Sequence, residues 1–344
     1  MWGRAQLLVL MTLLHAQGDE AQEDNELRVG RSIDIFTRYG YLSLSVKVVP
    51  KNESTWLFRE PTIDIFEGLN QYAVPSKRQS KKRLVFDGNF HMEFCDNSNQ
   101  LLQAYFRDFQ FQGLDKPWKA FTGSWTPETI ARNLGINSSF ITSDSYCFVL
   151  VRLSRYREGV KLTRVPNNIN LADVVAREID NMQVGDVGSV VTFIKKYGSH
   201  FINSFVTGNS IYQVFVYNKN YYQQIKDRLK TRGISHVNKR DLLQYFGPVY
   251  AEHLGTIKVA SGNKTVERWV EEHLRMHYYI FSFQSLLKVH GDLALLSILN
   301  NLLLNEAVVE LEMKTLAPAF KDPEKRAWFE EVLGNFIKLW EVNL

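Results

Sequence analysis

The sequence predicts one α+β domain, on three observations. Segments that alternate apolar and polar residues, the period of a half-buried strand, are interleaved with segments whose apolar residues recur at helical spacing. No Pro/Gly/Ser-rich linker, low-complexity tract or internal repeat divides the 344 residues. Hydrophobic residues make up 45% of the chain and aromatic residues 13%, ample for one large core.

The N-terminal residues read as a processing signal. Arg4 supplies a positive charge, an apolar run follows from Ala5 to Leu14, and Ala16 and Gly18 are small residues placed for cleavage. Residues 1–18 are expected to be a signal peptide and residues 19–344 a single exported domain with short N- and C-terminal extensions. The run is far below the ~20 residues of a membrane span.

Alternation over 33–49, broken at Gly40, predicts strands, and 83–94 predicts another with a turn at Asp87-Gly88-Asn89. Residues 96–143 are mixed. Their stretch 100–111 is partly amphipathic, Pro117 and Pro127 interrupt it, and Thr126-Pro127-Glu128 places a cap before a proline at a first helical position. Residues 145–156 are a strong strand. Residues 170–182 are a helix capped by Asn170, with Val174, Val175, Ile179 and Met182 as its apolar stripe. A second helix starts at Ser189 with the face Val190, Phe193, Ile194 and Tyr197, and Gly198 stands where a helix C-terminal glycine belongs. Residues 200–207 alternate, and the alternation resumes after Gly208-Asn209 as far as Tyr217. That predicts one long strand bent at Gly208, or two strands. Residues 218–262 are polar and read as exposed helices with a short strand at 256–260. A helix over 266–276, a strand over 278–287 and a buried helix over 293–311 follow. The last helix is capped by Asp322, has Pro323 at its first position, and lines its apolar face with Trp328, Phe329, Val332, Leu333, Phe336 and Trp340.

In an exported chain the two cysteines, Cys95 and Cys147, favour one disulfide; two buried free thiols are the alternative. Sequons at Asn52, Asn137 and Asn263 predict glycosylated surface loops. Much of the net charge of +4 lies in Lys77, Arg78, Lys81, Lys82 and Arg83. That run is a candidate surface for anionic glycans or lipid head groups, a basic processing site or a solvated loop. Nucleic acid is not an expected partner. His273 and His277, one helical turn apart, have a spacing that can hold zinc, but Leu274 stands where a zinc protease carries its glutamate and no third ligand is evident. There is no G-x-S-x-G and no phosphate-binding glycine loop. No catalytic residue, metal or cofactor is expected.

The stretch Tyr197-Gly198-Ser199-His200-Phe201-Ile202, with Gly208 beyond it, resembles the signature of the membrane attack complex/perforin (MACPF) family. That signature is an aromatic, Gly, Ser or Thr, His, an aromatic, then a glycine pair further on. The flanking order agrees: a strand at 146–154, a helix at 171–182, the signature, then Trp269 ahead of another strand. The resemblance covers roughly residues 30 to 340. It implies a bent, mainly antiparallel four-stranded sheet flanked by helical clusters, with C-terminal helices. The second glycine of the pair is Asn209 here, and asparagine enters left-handed backbone angles less freely than glycine. His200 is read as a satisfied core residue and the signature as a structural latch.

The extended block 197–210 is most similar to a secreted branch of that family. It implies a non-enzymatic factor that restricts where a receptor tyrosine kinase pathway is activated in terminal patterning of the embryo. Its partners would be an extracellular protein ligand or receptor-pathway component, with peripheral association to a membrane or egg covering. Pore-forming members refold two helical segments into membrane hairpins of alternating strands. The matching segments here, 96–143 and 218–262, carry prolines or charges on both alternating sets, so no pore is expected. A pore-forming effector and a secreted hydrolase are the alternatives.

Overall fold

The computed structural model describes residues 27–36, 46–47, 64–76, 86, 88–120, 126–232 and 238–342. The expected signal peptide, the sequon at Asn52, most of the strand region 33–49 and the basic run Lys77 to Arg83 lie outside the described residues.

Three short strands come first: β1 (Ser32–Ile33), β2 (Val46–Lys47) and β3 (Ala73–Pro75). The first long strand, β4 (Gly88–Cys95), is followed by α1 (Ser98–Tyr105), β5 (Phe109–Phe111), α2 (Pro127–Leu134) and α3 (Ser138–Thr142). The second, β6 (Tyr146–Leu162), leads through α4 (Asp173–Asn181) and α5 (Val187–Tyr197) to the third, β7 (His200–Asn218). Then come α6 (Lys219–Arg232), α7 (Lys239–Tyr245), β8 (His253–Leu254), β9 (Lys258–Val259) and α8 (Lys264–His273). The hairpin β10 (Arg275–Tyr278) and β11 (Phe281–Gln284) and helix α9 (Leu293–Leu302) precede the fourth long strand, β12 (Ala307–Thr315), and the terminal helix α10 (Pro323–Val342).

The four long strands pair antiparallel in the order β4–β6–β7–β12, and six short strands extend them to a ten-stranded sheet. Among the described residues only β5 pairs parallel, with β12. β6 and β7 run together from Tyr146↔Asn218 to Lys161↔Ser204, with a bulge between Tyr156 and Glu158 where Gly208 crosses. At that bulge the edges change. Before Gly208 the outer partner of β7 is β12; after it, the partners are β8 and β9. A bulge raises local twist and bends the strand that carries it.

Alternation along the long strands divides their side chains between two cores. Phe148, Leu150, Tyr212, Val214 and Val216 join α1, α2, α5 and α10 through Leu101, Ile130, Phe193 and Phe329. Val149, Val151, Ile211, Phe215 and Tyr217 join α6, α8 and α9 through Ile225, Val270 and Leu299. The result is three layers, helices on both faces of a bent sheet. Fully burying one such side chain contributes ~1.5–3 kcal/mol. Two buried arginines of β6 pin the layers. Arg152 donates to the Tyr105 carbonyl at 2.7 Å, and Arg155 to the Leu303 carbonyl at 3.2 Å, at the C-terminal ends of α1 and α9.

Five expectations are corrected. Gly88 and Asn89 lie inside β4, not in a turn; a Cβ at Gly88 would stand 2.1 Å from the Ser154 carbonyl oxygen of the paired strand. The helix over 266–276 stops at His273, and the strand over 278–287 is a two-stranded hairpin from 275 to 284. The helix over 293–311 ends at Leu302. Val309, Leu311 and Met313 alternate with Glu310, Glu312 and Lys314, so this stretch has the strand period and fills the open edge of β7. The segment between the third and fourth long strands is therefore 219–306, longer than 218–262.

Candidate functional site

The signature residues form the joint between α5 and β7. Asp186 caps α5, accepting from the Gly188 N–H at 2.9 Å, and Val190, Phe193 and Ile194 bury its inner face. Gly198 closes the helix with its N–H on the Ile194 carbonyl at 2.8 Å. Its backbone sits at φ 91, ψ 176, an extended region open essentially to glycine alone rather than the usual left-handed helix cap. A Cβ there would lie 2.8 Å from the Ile33 carbonyl carbon. Ser199 ties β1 down on the other side. Its N–H donates to Ile33 O at 3.0 Å and its Oγ accepts from Ile35 N at 3.1 Å.

His200 is wholly buried between two partners. Nε2 lies 2.9 Å from the Gln112 carbonyl oxygen and Nδ1 3.0 Å from Ser199 Oγ. The carbonyl has no proton, so Nε2–H donates and Nδ1 accepts the serine hydroxyl. Burial holds the ring pKa down at about 4, against the Gln112 carbonyl, which favours the protonated ring. A neutral imidazole with both nitrogens engaged and no exposed surface has no substrate to reach. Phe201 and Ile202 are fully buried, with Phe201 edge-on to Phe66 at 5.3 Å. Tyr197 stacks at a tilt on Phe193 at 5.2 Å.

Gly208 marks the bend for a different reason. Its backbone is ordinary, but a Cβ would stand 2.0 Å from Arg155 O. Asn209, at the second glycine position, is not in a left-handed conformation either. Its side chain is the anchor. Nδ2 donates to Ser261 Oγ at 2.8 Å and to Glu306 Oε2 at 3.0 Å, while Oδ1 accepts from Ser210 N and Ser261 N. Ser261 Oγ lies 3.1 Å from the same carboxylate oxygen, and Asn263 Nδ2 donates to Glu306 Oε1 at 2.6 Å. Gly208 O also accepts from the Glu306 N–H at 3.0 Å. One carboxylate thus gathers three side-chain donors across the bend, in hydrogen bonds strengthened by its charge. Asn209 was legible as a departure from the signature. Ser261 and Glu306 were not, because nothing local links them to residue 209.

Asn263 is half-buried in this network, and its oxygen caps α8 on the Thr265 N–H at 2.8 Å. It is not the free surface-loop residue its sequon suggests. Asn137 is exposed at the start of α3.

The expected disulfide gives way to the alternative. Cys95 pairs across the strands with Phe148 and shares the first core with it, whereas Cys147, next along β6, faces the second. Both are buried free thiols on opposite faces of the sheet, and side chains pointing apart cannot be bridged. Burial, then the carboxylates of Glu93 and Asp96, push the Cys95 thiol up to about 12; burial first, then Asp96, raises Cys147. A raised pKa leaves less of the reactive thiolate at neutral pH. His273 ends α8, stacked on Trp269 at 4.9 Å, while His277 belongs to β10, so the two are not one turn apart on a helix. Among the described residues no group of three His, Cys, Asp or Glu side chains is placed to hold a metal.

Gln213 was also missed. It is a fully buried amide in an apolar strand, donating to Gly255 O at 2.8 Å and Gln284 O at 3.1 Å and accepting from Leu286 N at 2.8 Å. Its sequence signal was a polar residue in an otherwise apolar run. No helix among the described residues is long and apolar enough to cross a membrane.

No known family profile matches the sequence, and no curated protein matches it. Among solved structures the chain is similar to a MAC/Perforin-domain protein from Bacteroides thetaiotaomicron, with a TM-score of 0.44 and 11% identity over 88% of this chain and 59% of that one. It is similar to GNIP1Aa from Chromobacterium piscinae, with a TM-score of 0.47 and 10% identity over 91% and 57%. A third likeness is to Astrotactin-2, a vertebrate perforin-like membrane protein involved in neuronal development, with a TM-score of 0.31 and 14% identity over 84% and 41%. The chain spans between 41% and 59% of the length of these structures.

Proposed function

We propose that this chain is a secreted, non-enzymatic factor of the MACPF type that localises activation of a receptor tyrosine kinase pathway in terminal patterning of the embryo, and does so without perforating membranes. Its extended block 197–210, Tyr197-Gly-Ser-His-Phe-Ile-Asn203-Ser-Phe-Val-Thr-Gly208-Asn209-Ser210, resembles that of the insect Torso-like protein. The observation that carries the non-perforating part is the Asn209–Ser261–Asn263–Glu306 network, which fastens the sheet bend to the segment 219–306. Opening the sheet requires breaking this network, and each hydrogen bond to a charged group contributes ~1.5–3 kcal/mol. The chemistry of the inserts points the same way. Lys226, Asp227 and Arg228 are consecutive, so a strand through them puts charge on both faces, at ~2–4 kcal/mol for a basic residue facing lipid at mid-bilayer. An enzyme reading finds no support in the buried, neutral His200 or the two buried thiols.

Removing the chain from the embryo should abolish receptor phosphorylation at the embryo's ends. Normal terminal patterning without it would overturn the signalling role. One observation favours the pore-forming reading: each helical insert connects two long strands of one antiparallel sheet, the connectivity a membrane hairpin requires. Leakage from vesicles discriminates the two.

A further inference from the structure

The hairpin β10–β11 pairs with no other strand, and its tip is the most exposed apolar feature among the described residues. Tyr279 is 77% exposed, Ile280 92% and Phe281 43%. The turn is also unfavourable locally. Tight hairpins normally place Asn-Gly or Asp-Gly at their two central positions. Here Tyr279 holds φ 52, the one positive φ at a non-glycine residue described, and a β-branched isoleucine follows it.

The base is rigid where the tip is bare. Leu274 and Leu286 are fully buried, Ser285 N donates to Leu274 O at 2.9 Å, and Gln213 holds both Gln284 O and Leu286 N. The tip is therefore mounted on the central strand β7. Its charge has one sign. From Leu274 to Gly291 there is no acidic residue, while Arg275 and Lys288 are cationic; Glu272 and Asp292 stand outside this stretch. Arg275 and His277 are exposed on β10, and exposed Arg240 of α7 lies near the Tyr278 hydroxyl.

We infer that this hairpin is an interfacial membrane anchor: Tyr279, Ile280 and Phe281 enter the headgroup–acyl boundary of an anionic bilayer while Arg240 and Arg275 face its head groups. Tyrosine suits that boundary because one end of the ring is apolar and the other wet. A convex tip of three residues offers far less than the ~800 Å² per partner of a stable protein interface. A lipid surface needs no complementary shape. A few apolar side chains alone bind weakly and reversibly, so the adjacent cations supply the second, salt-sensitive contribution. The anchor stands independently of the signalling role proposed above.

The test is flotation of the full chain with phosphatidylcholine vesicles that contain or lack phosphatidylserine. The protein should float with the anionic vesicles and lose most of that binding in high salt. Replacing Tyr279→Asn together with Ile280→Gly installs a favourable turn while removing the apolar tip. That double variant should keep or raise thermal stability and lower vesicle affinity by about tenfold, ~1.4 kcal/mol. Arg275→Gln should reduce the salt dependence. Wild-type protein that fails to float, or a double variant that floats equally well, overturns the anchor. Flotation accompanied by release of an encapsulated dye upholds the anchor and counts against the non-perforating function, so the two failures are separable.

Discussion

The start of β7 and its bend both require glycine, and the two positions differ in kind. At Gly198 the backbone itself is unusual, at φ 91, with the Ile33 backbone against the missing Cβ. At Gly208 the backbone is ordinary and only the Arg155 carbonyl forbids a side chain. Their polar neighbours differ too. His200 and Ser199 are neutral and satisfied within the first core, by Gln112, Ile33 and Ile35. Asn209 is satisfied through the charged Glu306 and through Ser261, both from the segment between the third and fourth long strands. The first site joins elements that must be joined for the sheet to form. The second makes the shape of the sheet depend on where a helical insert sits. A latch that fixes the fold and a lock that fixes the bend respond differently to mutation.

Gly198→Val should have the largest effect. The strained backbone region alone costs a β-branched residue ~1–3 kcal/mol, and the contact with Ile33 adds to it. A loss above about 3 kcal/mol, roughly 4 °C or more in Tm for a chain of this length, is expected by thermal melting. A variant melting within about one degree of wild type would remove the latch.

The second effect is on pH. Burial holds the folded pKa of His200 at about 4, below the ~6.5 of an ordinary histidine, so the unfolded chain binds the proton more tightly. Stability from this group is complete above pH ~6.5 and falls as pH drops from there toward ~4, by on the order of 3 kcal/mol in all. Chemical denaturation across that window checks it, and a flat profile would contradict the buried neutral imidazole.

Third, Glu306→Ala should loosen the bend while leaving the latch intact. Glu306 is only half-buried, so water replaces part of what is lost, and about 2 kcal/mol is expected. Amide exchange at Ser210 and Ser261 should quicken while that of Ser199 and Ile202 stays slow. Equal acceleration at both places would mean that latch and lock are one unit. The smallest effect concerns the cysteines: a reductant should leave Tm unchanged, because Cys95 and Cys147 face opposite sides of the sheet. A reductant-induced drop in Tm would restore the disulfide.

The latch was legible in sequence because its signals are local. Helical spacing ends at Tyr197, a glycine follows, and strict alternation begins at His200, so three short-range patterns agree. The lock was not legible, because its partners lie at 261, 263 and 306 and meet Asn209 only after β12 adds to β7. β12 was itself hidden. Apolar residues on either side of Asn300-Asn301 fit a continuing helix, and the strand period emerges only once the open edge of β7 is there to be filled. The hairpin was concealed by composition: 278–287 is rich in strand formers throughout and has no glycine at the turn to mark it. The disulfide expectation failed on side-chain direction, which follows from register and not from cysteine count.

The most direct test of the central claim is dye release from phosphatidylserine-containing vesicles by the full chain, at protein concentrations where flotation shows the vesicles are occupied. A bend fastened by Asn209, Ser261, Asn263 and Glu306 predicts bound protein and no leakage. Leakage together with ring-shaped oligomers on the vesicles would show that the sheet opens despite the network, and that the chain perforates membranes.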